Sequence, residues 1–290
     1  MNRQILFLAD EFASDSTGGA ELTTEAVIND SPSDVDMIMV RTSELNIDII
    51  NKFKDNKWII GNFFGLNPDH MIHLMSKKID YSIIEYDYKY CVMRIPKLHK
   101  KLHGECCEES VRGQLISLFM SLSQSLWYMS SGQKNWYEQQ FPALKKANSY
   151  VLGSLLEQKT IDYINTLDCS NKNDTYMIQD HPHILKGTKA GIELAEIKNL
   201  KYELFGSMKS EPHHEVLQKF ANAKGLIFVP TEFDTCPRIT IEAKLLGCDL
   251  ILGENVQHKD EDWFNKDNTE IIHHMKNRTK FFWDILCMIT

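Results

Sequence analysis

The run from Leu226 to Leu252 constrains the fold more than any other part of the chain. An apolar segment, Leu226 to Val229, enters a loop bearing Glu232 and Asp234; a helix then opens at Pro237, carries Glu242 and Ala243 inward, and stops at Gly247. Proline suits a first helical turn, because its ring fixes φ and its missing N–H would have had no partner there. Glycine closes a helix in the left-handed conformation. A second apolar segment, Leu250 to Leu252, follows at once, so the unit reads strand, crossover helix, parallel strand. Ligands of open parallel sheets gather at the carboxyl ends of strands, beside helix N-termini whose unpaired N–H groups attract phosphate. Asp234 and Glu242 therefore stand where a phosphorylated ligand would lie.

The same alternation runs through the whole chain. Strands are expected at Ile5–Leu8, Met37–Val40, Trp58–Ile60, Tyr81–Ile84 and Cys91–Met93 in a first half, and at Tyr150–Leu152, Tyr176–Gln179 and Tyr202–Phe205 in a second. Helices are expected over Leu155–Thr166, from Thr188 as N-cap, and around His214–Ala223. The class is α/β, with two doubly wound, Rossmann-like domains built on parallel sheets. A chain of 290 residues with 43% hydrophobic content accommodates about two domains of 100–200 residues, each with its own core. The junction falls near Asn148, after Phe141-Pro142 and Lys145-Lys146, giving domains 1–148 and 149–270. Residues 271–290 form a helical segment expected to pack back on the N-terminal domain. Apolar residues at Val111, Leu115, Leu118, Phe119, Leu122, Leu126 and Met129, spaced by threes and fours, predict one long helix with its stripe in the core.

A formal charge of −8 and a pI near 5.8 give no general basic field, so nucleic acid is not an expected partner and small or neutral acceptors fit better. The seven cysteines are odd in number and include no C-x-x-C pair, which points to a reduced, cytoplasmic setting and to Cys106-Cys107 as structural. The chain opens directly on a short apolar run and holds no span of about 20 apolar residues, so neither a signal peptide nor a membrane anchor is expected. The pairs His181/His183, His213-His214 and His273-His274 are joined by no carboxylate or cysteine at a recognisable ligand spacing, and no metal is expected.

Several residues carry two readings side by side. Gly18-Gly19, before a helix-compatible run, lets backbone approach a phosphate, with Ser16 or Glu21 free to cap the helix; it equally suits a plain tight turn, and the G-x-G-x-x-G fingerprint is absent. Lys186-Gly187 is either a point charge placed for a diphosphate or a solvated surface lysine. Asp234 and Glu242 can each accept from neighbouring hydroxyls of a ribose or a sugar; alternatively Asp234 or Thr235 caps the helix and Glu242 is exposed. Arg238, in the first helical turn, carries a charge that the macrodipole disfavours and calls for an anion. Tyr86 and Asp87, just beyond a strand, are candidates for a sugar or acceptor contact.

Together these residues resemble the family 4 glycosyltransferases of the two-domain GT-B fold. The resemblance rests on Gly18-Gly19-Ala20-Glu21, on Lys186-Gly187, and on an acid-x7-acid signature from Asp234 to Glu242 followed by Ala243 and Gly247, with the run Phe220 to Pro230 upstream. It covers most of the second domain and the first strand-loop-helix. It implies two Rossmann-like domains facing across a cleft, a UDP-, GDP- or ADP-sugar as donor substrate with no cofactor, and metal-independent, retaining transfer to a carbohydrate or other hydroxyl acceptor. By the same resemblance Glu242 would hold the ribose and Asp234 the donor sugar. Thr235, Cys236, Pro237 and Arg238 would hold the sugar or phosphate, and Lys186 the diphosphate with Gly18 and Gly19; Lys186 and Asp234 would carry catalysis. Two departures stand out: the first acid is Asp234 rather than glutamate, and His181 stands where the family has arginine, leaving His181 or Arg238 to replace it. An inactive sugar-nucleotide-binding protein or subunit of the same fold, and a sugar-nucleotide epimerase, remain open as alternatives.

Overall fold

The computed structural model describes residues 3–16, 18–104, 106–182, 184–206 and 211–288; His183, one of the paired histidines, lies outside them. The chain parts into two compact units, Met1–Leu155 with Met275–Thr290, and Leu156–His274.

The first unit is built on six parallel strands, β1 (Arg3–Ala9), β2 (Val35–Arg41), β3 (Lys57–Ile60), β4 (Tyr81–Glu85), β5 (Leu126–Tyr128) and β6 (Ser149–Val151), in the order β2-β1-β3-β4-β5-β6. Its helices are α1 (Gly19–Asn29), α2 (Ile47–Lys52), α3 (Pro68–Ser76), α4 (Pro96–His103), α5 (Val111–Ser121) and α6 (Ser131–Gln140). Ile5 to Ala9 of β1 are all buried, as expected of a central parallel strand covered on both faces. At the edge, β2 is half exposed.

Three expectations fail in this unit. Cys91–Met93 is a turn, not a strand. The long helix stops at Ser121, where the Ser121 and Ser123 hydroxyls donate to the carbonyls of Leu118 and Met120 and compete with continued helix. Leu126 and Met129 belong to β5 and its exit, and the predicted stripe is split: Phe119 is buried as expected, with Ile116 and Met120 beside it in the core, while Val111, Leu118 and Leu122 are exposed. Finally, Ser149, Tyr150 and Val151 pair in parallel with Leu126, Trp127 and Tyr128. The strand expected to open the second domain therefore closes the first sheet, and the junction falls beyond Leu155 rather than at Asn148.

The second unit carries α7 (Gln158–Thr166), β7 (Thr175–Gln179), α8 (Thr188–Ile197), β8 (Lys201–Phe205), α9 (His213–Asn222), β9 (Gly225–Phe228), α10 (Arg238–Leu245) and β10 (Asp249–Leu252). All four strands are parallel, in the order β10-β9-β7-β8. Its core packs Tyr176 and Ile178 of β7 and Ile227 of β9 against Ala195 of α8.

The last helix, α11 (Asn268–Met288), gives its later residues to the first unit. There Trp283 Nε1 donates to Val27 O at 3.0 Å, Lys57 Nζ reaches Leu286 O at 2.9 Å, and Phe282 packs 4.9 Å from the Trp127 ring. A fully buried phenylalanine such as Phe282 contributes on the order of 2 kcal/mol. Among the described residues, no helix is long and apolar enough to cross a membrane.

Counted within each unit, the first four strands of both sheets stand in the order second, first, third, fourth. The sheet therefore reverses its direction of growth between β1 and β3, and again between β7 and β9. Such switch points open crevices outside the strand carboxyl ends.

Candidate functional site

At the switch between β7 and β9, residues 185–187 and 229–231 lie side by side. Gly187 sits in the left-handed region (φ +69°), and a Cβ there would stand 2.0 Å from Val229 O, so only glycine lets the two loops touch. Thr231 N–H donates to Leu185 O at 3.1 Å across the same seam. The result is a fixed place for Lys186, whose Nζ lies 2.7 Å from Asp234 Oδ2. Asp234 is held in turn by its backbone, donating to Asn255 O (2.9 Å) and accepting from Gln257 N–H (3.0 Å). Thr188 is the first residue of α8, with Gly187 at the N-cap. The Thr188 hydroxyl donates to Gln179 O (2.7 Å) and accepts from His181 N–H (3.1 Å), which fixes the backbone of the residue standing in the arginine position. The Lys186 and Asp234 side chains are 33% and 17% exposed. An ion pair this open is worth about 0–1 kcal/mol, so a ligand can part it at little cost.

Behind this pair, α10 starts at Arg238 with Pro237 at its N-cap and no side-chain cap, so neither Asp234 nor Thr235 serves that purpose. It ends in a Schellman turn, Cys248 N–H donating to Ala243 O and Gly247 N–H to Lys244 O, both at 2.9 Å. Glu242 is 1% exposed. Its Oε1 accepts from Arg238 Nε (2.8 Å) and from His213 Nε2 (2.9 Å) at the start of α9. Arg238, equally enclosed, turns its Nη2 onto Glu157 Oε2 at 2.5 Å. The anion that Arg238 calls for is thus supplied by two glutamates of the protein. Burial alone would raise the Glu242 carboxyl, but the His213 hydrogen bond and the Arg238 charge hold it below its ordinary value. Glu157 is likewise pushed up by burial and brought below its ordinary value by Arg238. Thr235 and Cys236 are buried.

A buried histidine completes the cluster. His258 Nε2 lies 3.1 Å from Thr240 Oγ1, whose hydroxyl donates to Pro237 O. The histidine therefore donates from Nε2. Burial, opposed by the Asp234 charge, lowers its pKa to about 4, so the ring is neutral at ordinary pH.

In the first unit, Gly18 has an ordinary extended backbone, φ −70°. Glu21 folds back across it: a Cβ there would stand 2.3 Å from Glu21 Oε2, so a larger residue would displace the Glu21 carboxylate. Gly19 begins α1, whose N-cap, Gly18, makes no side-chain hydrogen bond. Glu21 Oε1 accepts from Asn62 Nδ2 at 3.2 Å, joining the first turn of α1 to the loop after β3. The Tyr86 hydroxyl is 2.7 Å from Thr24 Oγ1 and buried. Asp87 gives Oδ1 to Lys89 Nζ (2.8 Å) and Oδ2 to Arg94 Nη1 (3.2 Å). As sugar or acceptor contacts, Tyr86 and Asp87 already hold protein partners.

Beside them, Glu85 is fully buried and its Oε1 accepts from the N–H groups of Asp87 (3.1 Å) and Lys89 (3.4 Å). Burial pushes its carboxyl up to about 8, against the nearby Lys89 charge and with that of Asp87. A carboxyl raised in the folded state lends stability below its unfolded value, and that stability is lost as pH rises through the folded value. Glu85→Gln keeps the shape and the neutral form. Its urea midpoint should stay level from about pH 5 to about pH 9, where that of the parent falls; parallel curves would rule out this assignment.

Glu157 and His258 escaped the sequence reading, and His213 entered it only as half of a histidine pair. Arg238 in an unfavourable helical position signalled an anion, and its i, i+4 spacing to Glu242 is the signal that could have found one of the two carboxylates; nothing local points to Glu157, 81 residues away.

No family model matches the chain, and no curated protein matches it in sequence. Solved structures do resemble it. HepE of Anabaena, in complex with UDP and glucose, is 10% identical with a TM-score of 0.56, over 98% of this chain and 92% of that one. The trehalose-6-phosphate synthase OtsA is 8% identical with a TM-score of 0.60, over 98% and 95%. A UDP-forming α,α-trehalose-phosphate synthase from Burkholderia xenovorans is 7% identical with a TM-score of 0.56, over 99% of both. At such identities the likeness establishes the fold: α/β, with the two Rossmann-like units of the GT-B class.

Proposed function

We propose that the chain is a glycosyltransferase that takes a sugar from a nucleotide-sugar donor, UDP-linked by preference, and moves it to a hydroxyl acceptor. The observation that carries this reading is Lys186 paired with Asp234 at the β7/β9 switch, with Glu242 anchored directly behind. In the bound state the pair parts: the ammonium goes to the diphosphate and the carboxylate to sugar hydroxyls. Among the described residues the two side-chain bonds to the Glu242 carboxylate fall on Oε1, which leaves Oε2 to accept from a ribose diol. The structural relatives solved with UDP, UDP-glucose or UDP-2-fluoro glucose favour uridine as the base.

Cleavage of the bond between anomeric carbon and diphosphate builds charge on the leaving oxygen. Lys186 and the N-terminal amides of α8 and α10 meet that charge as it grows, stabilising the transition state more than the ground state. No side chain is required as a nucleophile and no metal or cofactor is invoked; retention at the anomeric carbon is the outcome expected of this class.

A binding protein without turnover is the second reading, favoured by His181 in the arginine position and by the Arg238 charge being spent inside the protein. Melting curves with UDP, GDP and ADP, followed by release of nucleoside diphosphate from the matching sugar donors, separate the two. The enzyme reading expects a shift with UDP and release of UDP. A shift without release supports the binder, and no shift with any nucleotide overturns both.

A further inference from the structure

The first unit gathers three soft donors that its candidate site does not use. Cys91 lies in the turn after β4, His99 in α4, and Cys107 opens the short helical turn Cys107–Glu109. His99 Nδ1 is 2.7 Å from Cys107 Sγ and 3.4 Å from Cys91 Sγ, and all three atoms lie within 4.8 Å of one another. We propose that Cys91, His99 and Cys107 form a zinc site, with a solvent molecule as fourth ligand, that cross-links the segment between β4 and α5.

Around a tetrahedral zinc, with Zn–S about 2.3 Å and Zn–N about 2.0–2.1 Å, neighbouring donors stand about 3.5–3.8 Å apart, so small side-chain adjustments bring these three into place. Two thiolates with an imidazole select zinc among the common divalent ions. The backbone carrying the donors is set by the protein: Cys91 N–H donates to Tyr88 O (3.0 Å), His99 N–H to Ile95 O (2.9 Å), and Cys107 O accepts from Ser110 Oγ (2.6 Å). Gly113 admits α5 against Cys107, since a Cβ there would stand 2.1 Å from Cys107 O. Cys91 and Cys107 are buried, and a cation that replaces the thiol protons compensates the enclosed thiolates.

The segment also has a structural need. Among the described residues from Tyr86 to Ser110, the one α-helix is the eight-residue α4, and a single ion would tie the turn, the helix and the Cys107 turn together. Seven residues separate each donor from the next, a spacing outside the C-x-x-C signatures, which is why no metal is expected from the sequence alone.

The test is cobalt titration of the reduced full-length chain. One equivalent of Co(II) should bind with thiolate-to-cobalt charge-transfer absorption and be displaced by Zn(II). Cys91→Ser and His99→Gln should lose stoichiometric binding, while Cys169→Ser, in the other unit, should keep it. Should the variants fail to fold, the parent still decides: zinc should lower alkylation of Cys91 and Cys107, and a chelator should lower the melting midpoint of the zinc-loaded chain. Absence of thiolate absorption in the parent, equal alkylation with and without zinc, or an intact mass lacking two hydrogens with Cys91 and Cys107 joined would overturn the proposal.

Discussion

Lys186→Ala is expected to lower turnover of the nucleotide-sugar donor by about 100- to 1000-fold, the usual effect of removing one positioned electrostatic group, with a smaller loss of donor affinity. The asymmetry follows from where the charge acts. The donor diphosphate is already anionic when it binds, but the leaving oxygen gains further charge as the anomeric bond breaks, so the ammonium counts for more in the transition state. The partner of Lys186 supplies the contrast. If the lysine served only to hold Asp234, 2.7 Å away, its loss would cost about 0–1 kcal/mol of stability, as for other part-exposed pairs, and turnover would change by a few-fold at most. Initial rates of UDP release at saturating donor, set beside melting shifts with UDP, distinguish the two. A near-parental rate with an intact melting shift would remove Lys186 from catalysis.

Much of this arrangement is legible in the sequence because its elements are local. Strands β7, β9 and β10 each stand close to turn residues, and Gly187, Pro237 and Gly247 mark the helix ends within two residues. Lys186 and Asp234 could be placed because each sits a few residues beyond the end of a parallel strand, where topology alone brings loops together. What failed is what depends on partners distant in sequence. Strand β5 is three apolar residues standing at helical spacing from Leu122, and only pairing with β4 and β6 makes it a strand. The assignment of Ser149–Val151 to the wrong unit has the same origin, since a strand carries no local mark of the sheet it will join. Arg238 shows the limit within the site itself: its need for an anion was visible, but the choice between a ligand phosphate and a protein carboxylate depended on Glu157.

Arg238→Ala tests that choice and should be the most destabilising single change in the second unit. The arginine serves Glu157 Oε2 at 2.5 Å and Glu242 Oε1 at 2.8 Å, with all three side chains almost completely enclosed. Its removal leaves two carboxylates buried, one retaining Thr160 Oγ1 at 3.2 Å and the other His213. Breaking a buried pair by deleting one partner costs about 3–5 kcal/mol, because the survivor keeps its charge without compensation. The pH dependence carries the sign. In the parent, Glu157 and Glu242 lie below their ordinary values, so they lend stability above the unfolded carboxylate range that is lost as pH falls through their folded values. Without Arg238, burial acts on Glu157 with its main counter-charge gone and raises it, so in the variant this group lends stability on acidification that is lost as pH rises. Urea unfolding across the acid range should therefore show opposite slopes for the two proteins. Adding Glu157→Gln to Arg238→Ala should recover part of the loss at neutral pH by discharging one stranded acid. A variant that unfolds like the parent at every pH, but loses its affinity for UDP, would instead make Arg238 a phosphate ligand and return to it the role of the missing arginine.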